Sequence, residues 1–150
     1  MTEGKMFIDT NILIYAFDVS AGKKHQVASH ILNDLWNSGL GVLSTQVLQE
    51  FYINVVQKIQ KPIDQKMAQE IIRDLLKWHV VVNNGDSILD AIDISEKYGY
   101  SFWDSLIIEA ALTGGVSVLL SEDPVSYTHL RAHETRYVIS YAVFCLKNRG

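Results

Sequence analysis

At 150 residues, 48% of them apolar and only two of them proline, the chain has the composition of one globular domain with a real core, which excludes a disordered or fibrous protein. A net charge of −4 excludes a general polyanion binder, and the balance is uneven: nine Lys and Arg face sixteen Asp and Glu up to Asp123, then four face one. The lone Cys145 excludes an internal disulfide or an all-cysteine metal site, Asp9 and Asn11 interrupt the first apolar run, and "YVISYAVFCL" is half a membrane span. A soluble, cytoplasmic protein with no membrane partner is expected.

Short apolar runs alternate with longer segments of helical period, the pattern of an α/β domain built on a largely parallel sheet. The first strand is expected at "MFI" (6–8), followed by Asp9, Thr10 and Asn11 and a helix containing "ILIYAF". "KKHQVASHILNDLWNSG" spaces Val27, Ile31 and Leu35 four apart and ends at Gly39, a residue suited to stopping a helix. "GVLS" (41–44) is the second strand. It leads past the caps Ser44 or Thr45 into "TQVLQEFYINVVQKIQ", read as one helix with an apolar stripe from Val47 to Ile59. Pro62 separates that helix from another over about 64–78. "HVVV" (79–82) is the third strand. Helices from about Ser87 to Tyr98 and Ser101 to Leu112 follow, closed by Gly99 and Gly114, and "VSVLL" (116–120) is the fourth strand.

Four carboxylates recur at equivalent places on this pattern. Asp9 follows the first strand, Glu50 lies in the opening turns of the helix after the second, Asp104 begins the last long helix, and Asp123 follows the last strand. In an open parallel sheet those ends share the edge where ligands bind. Each has an ordinary structural reading as well: Asp9 or Asn11 as a cap, Asp104 as the partner of a cap at Ser101, Glu50 as a solvated flank, "SEDP" as a turn. Taken together, the ordinary readings conflict, because four acids on one edge raise one another's pKa values unless a cation sits among them. Oxygen ligands alone suit a hard ion, Mg²⁺ or Mn²⁺ rather than zinc. The chemistry such a set serves is phosphodiester hydrolysis, in which the ion acidifies a water and stabilises the leaving oxygen.

"FIDTNILIYAFD", "STQVLQEFY", "YGYSFWDSLIIEAA" and "LLSED", in that order and spacing, resemble the PIN domain, in the branch typified by the VapC toxins of bacterial toxin–antitoxin pairs. The resemblance spans about residues 6 to 123. It implies a three-layer α/β/α sandwich around a mostly parallel sheet and Mg²⁺- or Mn²⁺-dependent cleavage of RNA. It also implies an antitoxin partner that reaches into the acidic cleft with a basic side chain, and a homodimer. Carried over by position, Asp9 and Asp104 are the most direct metal ligands, Asp123 completes the sphere, and Glu50 orients water or binds a second ion. Thr10, Asn11 and Ser121 become hydrogen-bonding supports of those carboxylates, their ordinary reading being turn and cap polarity. Asp86, Asp90, Asp93, Glu109 and Glu122 are lesser candidates, most of them expected on solvated helix surface. Lys5, Lys23 and Lys24 are read as phosphate contacts or as solubilising charge.

The pattern breaks at Pro124. The family continues through a short loop to a final strand, whereas "VSYTHLRAHETRYVISYAVFCLKNRG" changes charge sign and resembles translated adapter sequence. A nuclease domain over 1–123 and a non-native tail over 124–150 are therefore expected, with the last family strand absent or replaced. His129 and His133 lie four apart, a metal spacing on a helix, but no third ligand is evident. Two alternatives stay open. One is a PIN-like binding module whose acids no longer cut. The other is a phosphatase of the haloacid dehalogenase type, which wants a second Asp two residues after the first, where this chain has Asn11.

Overall fold

The computed structural model describes residues 4–122 and 140–143, and the structural statements below concern those residues. Strands β1 (Met6–Ile8), β2 (Gly41–Ser44), β3 (His79–Val81), β4 (Val118–Ser121) and β5 (Ser140–Val143) form one sheet in the order β3-β2-β1-β4-β5. Every pairing is parallel. Parallel strands need helical crossovers, and these are α1 (Thr10–Phe17), α2 (Lys23–Ser38), α3 (Thr45–Ile53), α4 (Gln65–Leu75), α5 (Gly85–Tyr98) and α6 (Phe102–Thr113). α1 packs on α2 and α3, α3 also on α4, and α5 on α6, so the helices cover the sheet as two layers of an α/β/α sandwich. Among the described residues no helix is long and apolar enough to cross a membrane.

Covering both faces explains why the strands are short continuous apolar runs rather than alternating ones: all four residues of β2 are buried. Phe7, Leu13, Leu43, Phe51, Ile108 and Leu119 are fully buried, each side chain contributing about 1.5–3 kcal/mol through the water it sheds. The ring of Phe51 meets that of Phe17 edge-on at 5.5 Å, joining α3 to α1. Polar side chains set the helix starts. Ser44 Oγ accepts from Val47 N, Asp64 from Met67 N and Ser101 Oγ from Asp104 N, while α2 ends at Gly39 in the left-handed conformation (φ 73°).

Several boundaries differ from expectation, among them β4, which is Val118–Ser121 rather than 116–120, and two differences have local reasons. The helix read over 45–60 is regular only to Ile53. The Asn54 side chain donates to the Glu50 carbonyl at 2.8 Å, competing for that acceptor, and Asn54–Lys58 widens into a π-helical turn closed by Ile59 N donating to Asn54 O at 3.0 Å. Helix α5 starts at Gly85, before Ser87, because Asn84 and Ser87 form a capping box. At the other edge β5 pairs with β4 along its whole length. Asp123, His129, His133 and Cys145 lie outside the described residues.

The chain works outward from β1 through β2 to β3 and then returns to lay β4 on the other flank of β1. The direction of winding therefore reverses between β1 and β4, which opens a crevice beyond their C-terminal ends.

Candidate active site

Asp9 stands where β1 enters that crevice. Its backbone N donates to Leu120 O at 3.0 Å, fastening the end of β1 to the end of β4. The same carboxylate caps α1: Oδ1 accepts from Thr10 N at 2.7 Å and Oδ2 from the Ser121 hydroxyl at 2.7 Å. The capping role is thus real, but a cap alone does not require the second bond from β4. Thr10 then reaches across to α3, where its hydroxyl donates to Glu50 Oε1 at 2.6 Å. Gln46, one helical turn before Glu50, donates Nε2 to Glu50 Oε2 at 3.2 Å and to the Trp103 carbonyl at 3.4 Å. That amide links α3 to the first turn of α6, which carries Asp104.

Burial is the main influence on Asp9, raising its pKa from 3.8 to about 6; the bonds from Ser121 and Thr10 pull it down, and the charges of Asp104 and Glu50 push it up again. Asp9 therefore feels the charges of Asp104 and Glu50 across the crevice. Among the described residues no Lys, Arg or His pairs with Asp9 or Glu50. Nor do any three His, Cys, Asp or Glu of the described residues form a group that holds an ion by itself. The donor chemistry nevertheless fits a hard divalent cation, since Asp9, Glu50 and Asp104 offer carboxylate oxygens and neither sulfur nor imidazole.

The other expected residues separate clearly. Thr10 and Ser121 hold carboxylates. Asn11 does not: its Oδ1 accepts from Glu122 N at 3.4 Å and so steadies the chain leaving β4. Glu122 is half-buried, accepting from Tyr15 OH at 2.6 Å and pairing with Lys24 Nζ at 2.7 Å, so Lys24 is committed to an ion pair. Asp86, Asp90 and Asp93 are exposed helix surface as expected. Glu109 is the exception among them. It is 6% exposed, and burial, the hydrogen bond from Thr113 notwithstanding and with Asp90 adding repulsion, raises its pKa.

The family model of the PIN domain matches residues 6–128. The chain belongs to the PIN domain family. No curated protein matches it. Among solved structures this PIN domain resembles a toxin–antitoxin complex from Klebsiella pneumoniae, with TM-score 0.63, 16% identity, and 84% of this chain and 92% of that one covered. It also resembles Mycobacterium tuberculosis VapC20, a sarcin–ricin loop cleaving toxin, with TM-score 0.56, 18% identity, and 77% and 87% covered. DNA-bound VapBC from Salmonella typhimurium gives TM-score 0.62, 15% identity, and 94% and 98% covered. At such identities the likeness is one of fold.

Gln46 is the residue that sequence reasoning passed over in this PIN domain. The signal was present in "TQVLQE": a polar side chain four before Glu50 lies on the same helix face, and here it is 5% exposed. Asn83, just past β3, supports it by accepting from Gln46 N at 3.0 Å and from the Thr45 hydroxyl at 2.9 Å.

Proposed function

We propose that this PIN domain is a metal-dependent endoribonuclease that hydrolyses RNA phosphodiester bonds, and that it is the toxin of a toxin–antitoxin pair. The observation that carries the reading is the run of bonds at the switch point of the sheet that ties Asp9 through Thr10 to Glu50, and Glu50 through Gln46 to the first turn of α6, where Asp104 lies. Asp9 and Asp104, with Asp123, are the residues that would hold Mg²⁺ or Mn²⁺. An ion bound there supplies the Lewis acidity that makes water a nucleophile at neutral pH and offsets charge on the leaving oxygen.

The chain's own residues do the positioning. Thr10 N and the Ser121 hydroxyl fix both oxygens of Asp9, so that its carboxylate cannot rotate away from the crevice. Thr10 and Gln46 fix Glu50 in the same way, one donor to each oxygen, which suits it to orient the attacking water by accepting its hydrogen bond. The activity is assigned to residues 1–123. An antitoxin partner is supported by the fold likeness to toxins found in such complexes; a homodimer and a cytoplasmic setting complete the reading.

The test is cleavage of structured and single-stranded RNA in Mn²⁺ and in chelator, beside Asp9→Asn and Asp104→Asn. The reading expects cleavage by the parent in Mn²⁺ alone and background rates for both variants. Cleavage unchanged in chelator, or in both variants, overturns it.

A further inference from the structure

Of the three tryptophans in the chain, Trp103 keeps the most surface in solvent, 62%, although it sits beside Asp104 at the rim of the acidic site. Its ring stands roughly perpendicular to that of Phe102 at 5.1 Å, and most of the indole stays in solvent. Its backbone is held all the same. Gln46 Nε2 bridges the Trp103 carbonyl and Glu50, so the indole and a carboxylate of the site are tied through one buried amide. The other end of that amide, Gln46 Oε1, is buried and without a hydrogen-bond partner. Thr10, Gln46, Glu50, Asn54, Lys58 and Trp103 line a groove of about 530 Å³, which lies in the size range of pockets that take small ligands. Lys58 is the cation among its lining residues, and it also borders a second groove of about 580 Å³ that carries Asn11, Tyr15 and Lys24.

We propose that Trp103 is a stacking platform for an unpaired nucleobase, with Lys58 holding the adjacent phosphate, so that single-stranded RNA approaches the acidic site along this groove. The identity of the strand rests on the ribonuclease reading; the platform itself rests on the exposed indole and its neighbours. An acidic site repels phosphates, so a strand needs a cation at the rim and an attraction that does not depend on charge. An exposed indole supplies the second, because every base has a π face. Bases inside a duplex are already stacked and are not available to it. A protein partner's arginine also stacks on indole. Lys58 opposes that occupant and favours a phosphate.

The test uses the full chain carrying Asp9→Asn, so that strands survive, in Mg²⁺. An octamer of adenosine ribonucleotides is titrated while tryptophan emission is followed. Binding should quench the emission. Trp103→Ala should remove the quenching and weaken binding roughly tenfold or more, and Trp103→Phe, which keeps a flat ring, should retain most of the affinity. Lys58→Gln should lower the slope of log affinity against log salt by about 0.7, the value for one single-strand phosphate. The indole is largely solvated, so its removal should leave thermal unfolding unchanged, which separates lost stacking from lost fold. No binding by the parent, or affinity and quenching indifferent to Trp103→Ala, overturns the proposal. If Trp103 governs binding in a chain that never cleaves RNA, the platform stands and the nuclease reading falls. If the parent cleaves RNA while affinity ignores Trp103, the nuclease reading stands and the platform falls.

Discussion

Replacing Asp9 with asparagine removes a charge while keeping a shape. The new Oδ1 can still accept from Thr10 N, and the new amide can donate to Ser121 once its hydroxyl turns, so both bonds at 2.7 Å are retained in kind. The charge itself is costly. A pKa of about 6 against 3.8 corresponds, at about 1.4 kcal/mol per pH unit, to about 3 kcal/mol against the ionised form in the metal-free fold. Because the folded-state pKa is the higher one, the folded chain binds the proton more tightly than the unfolded chain. This stabilisation is fully present below about pH 4, is lost as pH rises through about 6, and is absent above. Asp9 is not wholly buried, so about 2–3 kcal/mol is the expectation. At about 2–4 °C per kcal/mol for a chain of this length, Asp9→Asn should melt about 5–10 °C higher than the parent at pH 7.5 in chelator. The gap should close towards pH 4, and Mg²⁺ should narrow it at pH 7.5 by raising the parent. The assay is thermal unfolding by circular dichroism across that pH range. A variant less stable than the parent at pH 7.5, or a gap that ignores pH, would mean that burial does not govern this carboxylate.

Other substitutions probe separate links. Thr10→Val removes the 2.6 Å bond to Glu50 while keeping side-chain volume, and should lower RNA cleavage about 10–100-fold with the unfolding transition still cooperative. Glu109→Gln keeps the bond from Thr113 and removes a buried charge, so it should raise stability at neutral pH and lose that advantage as pH falls; equal Tm at pH 7.5 would count against the burial argument. Phe51→Ala empties the contact between α1 and α3 and should cost about 3–5 kcal/mol by urea unfolding, with a smaller cost meaning that the core closes over the gap.

The first four strands, to within two residues, and most helix limits were legible because local signals agreed with the fold, whereas β5 was not read from the sequence. Apolar runs of three or four residues end at polar caps, and Gly39 stops α2 where the periodicity does. The meeting of Asp9 with Glu50 was legible only through the rule that strand ends share an edge, since the residue joining them, Thr10, is 40 positions from Glu50. Other features left weaker traces. The π turn was hidden because the apolar stripe continues through Val55 and Ile59, while the side chain that widens the helix is a single Asn54. The burial of Glu109 was not legible because α6 is buried on nearly every side, and a helix without a solvent face gives a charged residue no pattern to break. Gln46 flanks an apolar stripe, where a polar residue is ordinary, and only the reach of its amide to two elements at once sets it apart. The bond from Tyr15 to Glu122 spans 107 positions, a pairing that no local signal carries.

Where a divalent ion settles decides between a metal centre and a mere cluster of acids. Crystals of the chain soaked in Mn²⁺, with diffraction recorded for its anomalous signal, should show a peak bounded by the carboxylates of Asp9 and Asp104, and Asp104→Asn should remove it. Mn²⁺ bound elsewhere in the molecule while those two carboxylates take none, or a peak indifferent to Asp104→Asn, would rule out a metal centre at the switch point.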